Sequence, residues 1–204
     1  FGFNAGSAGA ANDQAGLAWV NTFAATAAAA MAWAATEKIK DGKPTSVGVA
    51  SGVVGGLVAI TPGAGFVSPL GSIAIGAVAG ALCALAVGLK YKFGYDDSLD
   101  VVGVHLVGGL VGTVLIGLLA TENNLWLGAK AGLFYGGGIT QLLTQITVAV
   151  FAVVYSGVIT GIIGLAIKAT IGWRVPEAEE VSGIDLAEHG ETAYETITSG
   201  RFNN

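Results

Sequence analysis

A single histidine, His105, lies in the apolar run DVVGVHLVGGLVGTVLIGLLA, which covers residues 100–120. A neutral imidazole offers one N–H donor and one lone pair, which suits it to passing a small polar molecule along a dry pore. In a helix, Gly108, Gly109 and Gly112 share a face with this ring. A face without side chains indicates either close packing on another helix or a narrow lumen. We favour the lumen, because ionisable groups within lipid generally face a bundle interior or a wet path.

Two further groups of residues are candidates for chemistry. The opening stretch FGFNAGSAG places Phe3 and Ser7 four positions apart, on one face of a helix. An aromatic ring beside a hydroxyl can hold a small cation through a cation–π contact and a hydrogen bond, although the pairing is common. Asp100 follows Asp96 and Asp97 at the start of the His105 helix, where acids cap a helix and complement its dipole. A buried structural anchor is the other role considered for Asp100.

Catalytic constellations are missing from the sequence. It has no base paired with a nucleophile, no residues at metal-ligand spacing and no phosphate-binding loop. We therefore expect neither an enzyme nor a resident metal or cofactor.

Apolar residues dominate the chain that must position these groups. Of its 204 residues, 53% are hydrophobic and 11% are charged, and the mean hydropathy is +0.69. Soluble domains carry about 25% charged residues, so the composition indicates a membrane protein. The 33 glycines suit transmembrane helices that pack closely through small residues. The single Cys83 excludes an intrachain disulfide, and the net charge of −5 argues against a nucleic-acid partner.

Five stretches have the character of transmembrane helices, which need about 20 apolar residues to cross the hydrocarbon core. They are residues 14–36, 45–61, 71–89, 101–120 and 136–171, and residues 1–12 have the character of the last turns of another helix. Glycines spaced four apart recur in these stretches, and we expect most of them to be helix contacts. They are Gly48/Gly52/Gly56, Gly76/Gly80, Gly108/Gly112, Gly132/Gly136 and Gly157/Gly161.

The distribution of Lys and Arg predicts the orientation of the helices. If the C-terminal tail is cytoplasmic, five spans place the loops 37–44 and 90–99 on the cytoplasmic side as well. Every Lys and Arg except Lys130 then lies inside, in agreement with the positive-inside rule. We predict a transmembrane domain over residues 1–174 and a cytoplasmic tail over residues 175–204.

Five motifs together resemble the second half of the ammonium transporter (Amt/Mep/Rh) family. They are FGFNAGSAG, VNTFAATAAAA, GLVAITPGAGFV, DVVGVHLVGGLVG and the tail RVPE…GID…EHGETAY. The resemblance covers essentially the whole chain, in order. It implies an all-α, polytopic transmembrane helix bundle of eleven helices in two inverted repeats, assembled as a homotrimer with one pore per subunit. This chain corresponds to the end of the sixth helix, the seventh to eleventh helices and the cytoplasmic tail.

The resemblance also implies roles for individual residues. His105 resembles the second histidine of the family's pore pair, and Phe3 resembles the inner of two phenylalanines that gate the outer mouth. Ser7 resembles the hydroxyl that helps to bind ammonium in the outer vestibule, and Thr61 a threonine near it. Asp100 matches an acid that precedes the pore histidine. The tail resembles the segment that contacts neighbouring subunits and docks PII-type regulatory proteins, and an unstructured acidic tail is the alternative.

Two departures from the family pattern stand out. The family usually has Gly directly after the pore histidine, whereas this chain has Leu106. The family's first pore histidine, outer gating phenylalanine, vestibule tryptophan and binding-site aspartate belong to its first half. We therefore expect the chain to begin part-way through a longer protein.

The resemblance implies transport of ammonium across the cell membrane, with ammonium and the lipid bilayer as partners. Ammonium would lose its proton at an outer site, and ammonia would pass the pore histidines. Potassium has no proton to lose and would be excluded. An ammonium sensor that signals through its cytoplasmic tail is the alternative, and flux into liposomes separates the two functions.

Overall fold

The computed structural model describes residues 1–122 and 130–191. This part of the chain is helical, and it includes two π-helical turns (Val102–Leu106 and Asp185–His189) and one 3-10 turn (Leu133–Tyr135). Within the same ranges there is no β-strand, only an isolated antiparallel bridge between Val67 and Ala120. The predicted all-α fold is confirmed. The α-helices are α1 (Gly2–Gly6), α2 (Asp13–Asp41), α3 (Ser46–Ile60), α4 (Pro69–Ala86), α5 (Leu89–Phe93), α6 (Val107–Leu119), α7 (Thr140–Thr170) and α8 (Glu177–Ser182).

Four helical segments are long and apolar enough to cross a membrane, judged by length and composition over the described residues. They are Asp13–Asp41, Pro69–Phe93, Val102–Leu119 and Thr140–Thr170, and they match four of the five predicted spans.

The remaining predicted span, residues 45–61, contains the shorter apolar helix α3 of 15 residues. At 1.5 Å per residue, α3 extends about 22 Å, which is less than the hydrocarbon core of about 30 Å. The chain continues after Ile60 as turns rather than as helix. Pro62 lies in those turns and has no N–H to donate to a continuing helix.

Helix α2 approaches α4 at backbone distance. Gly76 and Gly80 of α4 lie directly against the backbone of Ala25 and Ala29, and a Cβ atom at either glycine would overlap the Ala25 or Ala29 carbonyl. Both alanines are fully buried. Since apolar burial does not drive helix association in lipid, contacts of this closeness stabilise the pair through dispersion.

Helix α3 is packed in the same way on both sides. Gly52 and Gly56 face α2, where a Cβ atom at Gly56 would lie 2.7 Å from the Ala29 Cβ. Gly112 of α6 lies against the backbone of Ala59 in α3. The predicted role in helix packing is therefore confirmed for Gly52 and Gly56, for Gly76 and Gly80, and for Gly112.

The two remaining predicted pairs differ. Gly132 and Gly136 flank the 3-10 turn and not a helix face, and Gly136 has a φ of +87° that favours glycine. The two glycines therefore do not share a helix face, because the apolar helix begins later, at Thr140. Gly132 nevertheless packs against the backbone of Leu118 in α6, whereas a Cβ atom at Gly136 would meet nothing within 4 Å among the described residues. Gly157 and Gly161 of α7 have no atom within 4 Å of their Cβ positions among the described residues.

Glu37 joins the end of α2 to the start of α3. Its carboxylate accepts hydrogen bonds from the Thr45 backbone N–H at 2.7 Å and from the Trp33 indole N–H at 3.1 Å. Thr45 in turn caps α3 by accepting a hydrogen bond from the Gly48 N–H. The turn between the two helices is thereby fixed.

Residues 1–153 and 154–204 form two compact units. In the second unit, the Trp173 ring lies against Gly164, and Arg174 pairs with Glu180 at 2.6 Å. The predicted boundary between membrane domain and tail at residue 174 stays a prediction. The tail motif EHGETAY continues past residue 191, and both its end and Arg201 lie outside the described residues.

The contact between α2 and α4 gives a first prediction. We expect Gly76→Ala to lower the free energy of unfolding by about 1–3 kcal/mol, because the added methyl group must push the two backbones apart. The measurement is the unfolding of the purified protein in detergent.

Gly16→Ala is the matched control, because a Cβ atom at Gly16 of α2 meets nothing within 4 Å in the described part of the chain. Alanine is favoured over glycine in a helix by about 1 kcal/mol, so this variant should be at least as stable as the wild type. Equal stability of the two variants would contradict the close contact.

Candidate functional site

A cavity of about 90 Å³ lies beside α1 and the turn that follows α3. Phe3, Ser7 and Thr61, which were predicted to belong to one outer site, all line it, although Thr61 is distant from the others in sequence. Asn4 and Gln14 supply its other polar side chains. The remaining lining residues are Ala8, Ala18, Ala64, Gly65 and Phe66.

Helix α1 is held against α2 by polar and aromatic contacts. The Asn4 amide donates a hydrogen bond to the Thr22 hydroxyl at 3.0 Å. The Phe1 ring packs with its centroid 4.9 Å from that of Trp19 and 6.0 Å from that of Phe23. These contacts fix the short helix that carries Phe3 and Ser7.

The turn that follows α3 is held by two buried amides of α2. The Asn21 Nδ2 donates to the carbonyls of Ala64 and Val67 at 2.8 and 2.7 Å. The Gln14 Nε2 donates to the Gly65 carbonyl at 2.6 Å. The carbonyls of the turn lack helical N–H partners, and these two side chains supply their hydrogen bonds instead. The part of the cavity wall formed by the turn is therefore positioned by α2, as α1 is.

Both hydroxyls on the cavity wall donate their protons to the backbone. The Ser7 Oγ donates to the Phe3 carbonyl at 2.8 Å, and the Thr61 Oγ1 donates to the Leu57 carbonyl at 2.7 Å. A hydroxyl has one proton and two lone pairs, so each oxygen presents lone pairs to a ligand and no proton. This arrangement suits a ligand that brings its own N–H or O–H donors.

The aromatic member of the site is accessible. The Phe3 ring is 81% exposed, so its face is free to make a cation–π contact.

His105 lies apart from this cavity, in the π-helical turn before α6. The Val107 N–H donates to the Val102 carbonyl five residues earlier, the spacing that defines a π-helix. The neighbours of His105, Gly103 and Val104, are buried, whereas His105 itself is exposed. Nowhere in the described ranges does a residue hydrogen-bond to its ring.

The predicted glycine face of His105 is divided between two environments. Gly108 lies against Cys83 of α4, and Gly112 lies against α3, whereas a Cβ atom at Gly109 would meet nothing within 4 Å. Helix packing is therefore the correct interpretation for Gly108 and Gly112, and Gly109 is open. All three glycines follow the π-helical turn, so the difference reflects ordinary helix geometry: Gly108 and Gly112 are about one turn apart, whereas Gly109 is rotated by about 100° from Gly108.

The acids before His105 have distinct contacts. Asp97 makes the predicted cap, because its carboxylate accepts hydrogen bonds from the N–H groups of Val101 and Val102 at 2.8 and 2.9 Å. Asp100 instead forms an ion pair with Lys90, with Nζ and Oδ1 2.7 Å apart, and it has a left-handed φ of 57°. Lys90 also donates to the Asp97 carbonyl at 2.9 Å. Lys90 thus ties α5 to the start of the His105 turn.

The sequence profile of the Ammonium Transporter Family matches residues 1–194. The chain belongs to this family. It is a membrane protein with apolar helices of spanning length.

Similar proteins extend well beyond the matched region. The ammonium transporter of Mycobacterium bovis is 56% identical to this chain over 205 aligned positions. The alignment covers 98% of this chain and 43% of that protein. The crystal structure of Saccharomyces cerevisiae Mep2 matches with a TM-score of 0.73 at 35% identity. The match covers 82% of this chain and 40% of the Mep2 chain. A structure described as a sensor Amt protein matches with a TM-score of 0.82 at 28% identity. The match covers 92% of this chain and 45% of that chain. The chain therefore spans less than half the length of these relatives.

Sequence reasoning missed several residues that build the site. Gln14 and Asn21 are buried amides within an apolar helix. Two polar side chains in such an apolar stretch could have indicated a structural or binding role from the sequence alone. Nothing in the sequence distinguishes the π-helical turn or the partner of Lys90. In the described residues no group of three His, Cys, Asp or Glu side chains is placed to hold a metal ion.

The cap of the His105 turn gives a second prediction. We expect Asp97→Ala to lower the free energy of unfolding by about 1 kcal/mol, the usual effect of losing an acidic cap. It should also speed hydrogen exchange at the Val101 and Val102 amides, which lose their acceptor. Hydrogen exchange followed by mass spectrometry measures this directly.

Ser98→Ala is the control, since Ser98 is exposed and neighbours the cap. Equal exchange rates in both variants would show that Asp97 does not hold this turn.

Proposed function

We propose that the protein containing this chain transports ammonium across a membrane and binds it in the cavity lined by Phe3, Ser7 and Thr61. One observation carries the proposal. Ser7, which resembles the family's ammonium-binding hydroxyl, lines a single cavity here with Thr61, which resembles a threonine near it, and with Phe3, which resembles the inner gating phenylalanine. The transporter relatives support the same substrate.

The cavity wall matches the chemistry of ammonium. The cation carries four N–H donors, and Ser7 and Thr61 offer lone pairs with their own protons turned to the backbone. The accessible face of Phe3 attracts a cation through its ring quadrupole. Together these groups replace part of the hydration shell that the ion must lose on leaving water.

The path after binding is suited to a neutral molecule. Moving an unpaired ion through an apolar bundle carries a high cost in free energy, so ammonium gives up its proton to a water molecule at the outer site and ammonia continues. His105 offers a donor or a lone pair to the passing molecule, because its ring is exposed and has no hydrogen-bond partner in the part of the chain described. Potassium has no proton to release and is held back.

Assembly and placement complete the proposal. The protein lies in the plasma membrane. Its tail lies in the cytoplasm, as the Lys and Arg distribution favours. The functional form is a homotrimer, and a PII-type protein docks at the tail. Residues outside this chain complete each pore.

An ammonium sensor is the second candidate, favoured by the similarity to a structure described as a sensor Amt protein. A sensor binds ammonium and changes the contacts of its tail without appreciable conduction. Uptake into liposomes decides between the two, because only a transporter equilibrates ammonium across the bilayer at a rate that depends on the protein.

The binding site gives a third prediction. Ser7→Ala should raise the half-saturating concentration of ammonium about tenfold, since a hydrogen bond to a charged group contributes about 1.5 kcal/mol. The maximal rate should change little. Uptake into proteoliposomes as a function of ammonium concentration measures both.

Ser51→Ala removes a hydroxyl from α3 that does not line the cavity and should leave the half-saturating concentration unchanged. If Ser7→Ala behaves like this control, Ser7 does not contact ammonium.

The pore histidine gives a fourth prediction. His105→Ala should either lower ammonium flux by about tenfold, a loss of about 1.4 kcal/mol, or admit potassium, because the side chain beside the passing molecule is lost. Parallel flux measurements with ammonium, methylammonium and potassium test both outcomes. His189→Ala, which changes the other histidine of the chain, should leave all three fluxes unchanged. Unchanged methylammonium uptake together with full exclusion of potassium in His105→Ala would contradict the proposed role.

A further inference from the structure

We infer that Gln14 is a further ligand-binding residue of this cavity, and that its side-chain carbonyl accepts a hydrogen bond from the bound ammonium. The inference rests on the proposed function, since it adds a residue to the same site. Its basis is the geometry of one buried amide.

Gln14 combines burial with an unused acceptor. Its side chain is 4% exposed and lines the cavity with Phe3, Ser7 and Thr61. Its Oε1 is buried and has no hydrogen-bond partner among the residues that the structure describes. Buried acceptors are rarely left unpaired, because an unpaired buried acceptor is destabilising. A ligand in the cavity would supply the missing donor.

The orientation of this amide is fixed by its other end. Nε2 donates to the Gly65 carbonyl at 2.6 Å. Turning the amide over would place Oε1 against that carbonyl oxygen, which has no proton to donate. The bond to Gly65 therefore fixes which end of the amide is the acceptor Oε1, while Nε2 keeps its second N–H.

The two hydroxyls of the cavity are acceptors as well. Ser7 and Thr61 donate their protons to backbone carbonyls, whereas the Asn4 amide donates one N–H to Thr22 and keeps a second. Together with Gln14 Oε1, three side-chain oxygens on residues that line the cavity then have lone pairs to offer. Such a set suits a ligand with several donors, and ammonium has four N–H groups.

The cavity has room for a small hydrated cation. Its volume is about 90 Å³, and about 10–15 Å³ measured in this way is enough for one water molecule. An ammonium ion with one or two waters fits this space.

Two substitutions distinguish a role of Gln14 in ligand binding from a role in holding the turn that follows α3. Gln14→Met removes both the acceptor and the bond to Gly65, whereas Gln14→Glu keeps a side-chain oxygen acceptor at nearly the same place. In the wild-type protein at its natural length, and in both variants, uptake of ammonium into proteoliposomes gives the half-saturating concentration and the maximal rate. Gln141→Met is the matched control, because Gln141 lines a different cavity.

The expected result is a half-saturating concentration about tenfold higher in Gln14→Met, with the maximal rate nearly unchanged. Gln14→Glu should match the wild type or bind ammonium more tightly, and Gln141→Met should match the wild type. An equal rise in both Gln14 variants would show that Gln14 only braces the turn, and no rise in Gln14→Met would show that it does not contact ammonium. Either result overturns the inference.

A second measurement needs no variant and decides the matter if Gln14→Met does not fold. Solid-state NMR of the wild-type protein, saturated with ¹⁵N-ammonium and labelled with ¹³C at glutamine Cδ, should show a dipolar coupling between ammonium and the Gln14 carbon. Absence of this coupling in a sample that shows bound ammonium overturns the inference. A wild-type protein that neither binds nor carries ammonium would instead overturn the proposed function.

Discussion

The close approach of α2 to its neighbours is the constraint on which the rest of the structure depends. Glycines of α3 and α4 leave the backbone of α2 in direct contact with both helices, and Ala25 and Ala29 at these contacts are fully buried. Apolar burial gives little drive for association between helices in lipid, so contacts without intervening side chains supply the dispersion energy and fix the register. Any added methyl group on these faces displaces a whole helix and the site with it.

Because α2 is held so closely, its few polar side chains act as fixed attachment points. Near its start, Gln14 and Asn21 bind the carbonyls of the turn after α3, and near its end Glu37 binds the start of α3. The hydrogen bonds of Gln14 and Asn21 are costly to break because both side chains are buried. The cavity that we propose for ammonium is thus assembled from α1 and a non-helical turn, both positioned by one helix.

The sequence predicted the architecture well and the local geometry of the site less well. Length and hydropathy predicted five spans, and four of them are helices long and apolar enough to cross a membrane, since those quantities are summed over many residues and tolerate local error. The surroundings of the glycines after His105 were predicted less well, because spacing alone does not show which helices pack against them: Gly108 and Gly112 pack against other helices, while Gly109 stays open. The sequence gives no reason to assign different roles to Asp97 and Asp100. Only the position of Lys90 in the structure shows that Asp100 forms the ion pair while Asp97 caps the turn. Spacing placed Phe3 and Ser7 on one helix face, whereas Thr61 was added by the family resemblance, because no spacing rule joins a helix to a distant turn.

The central claim is that the cavity and His105 lie on one uncharged path through the protein. A cryo-electron microscopy map of the protein at its natural length in lipid tests this most directly. The account predicts a continuous passage that opens from the Phe3, Ser7 and Thr61 cavity, runs beside the His105 ring and Gly109, and is lined by neutral side chains. A map that shows the ring facing lipid, or packed among side chains with no passage beside it, would contradict the account.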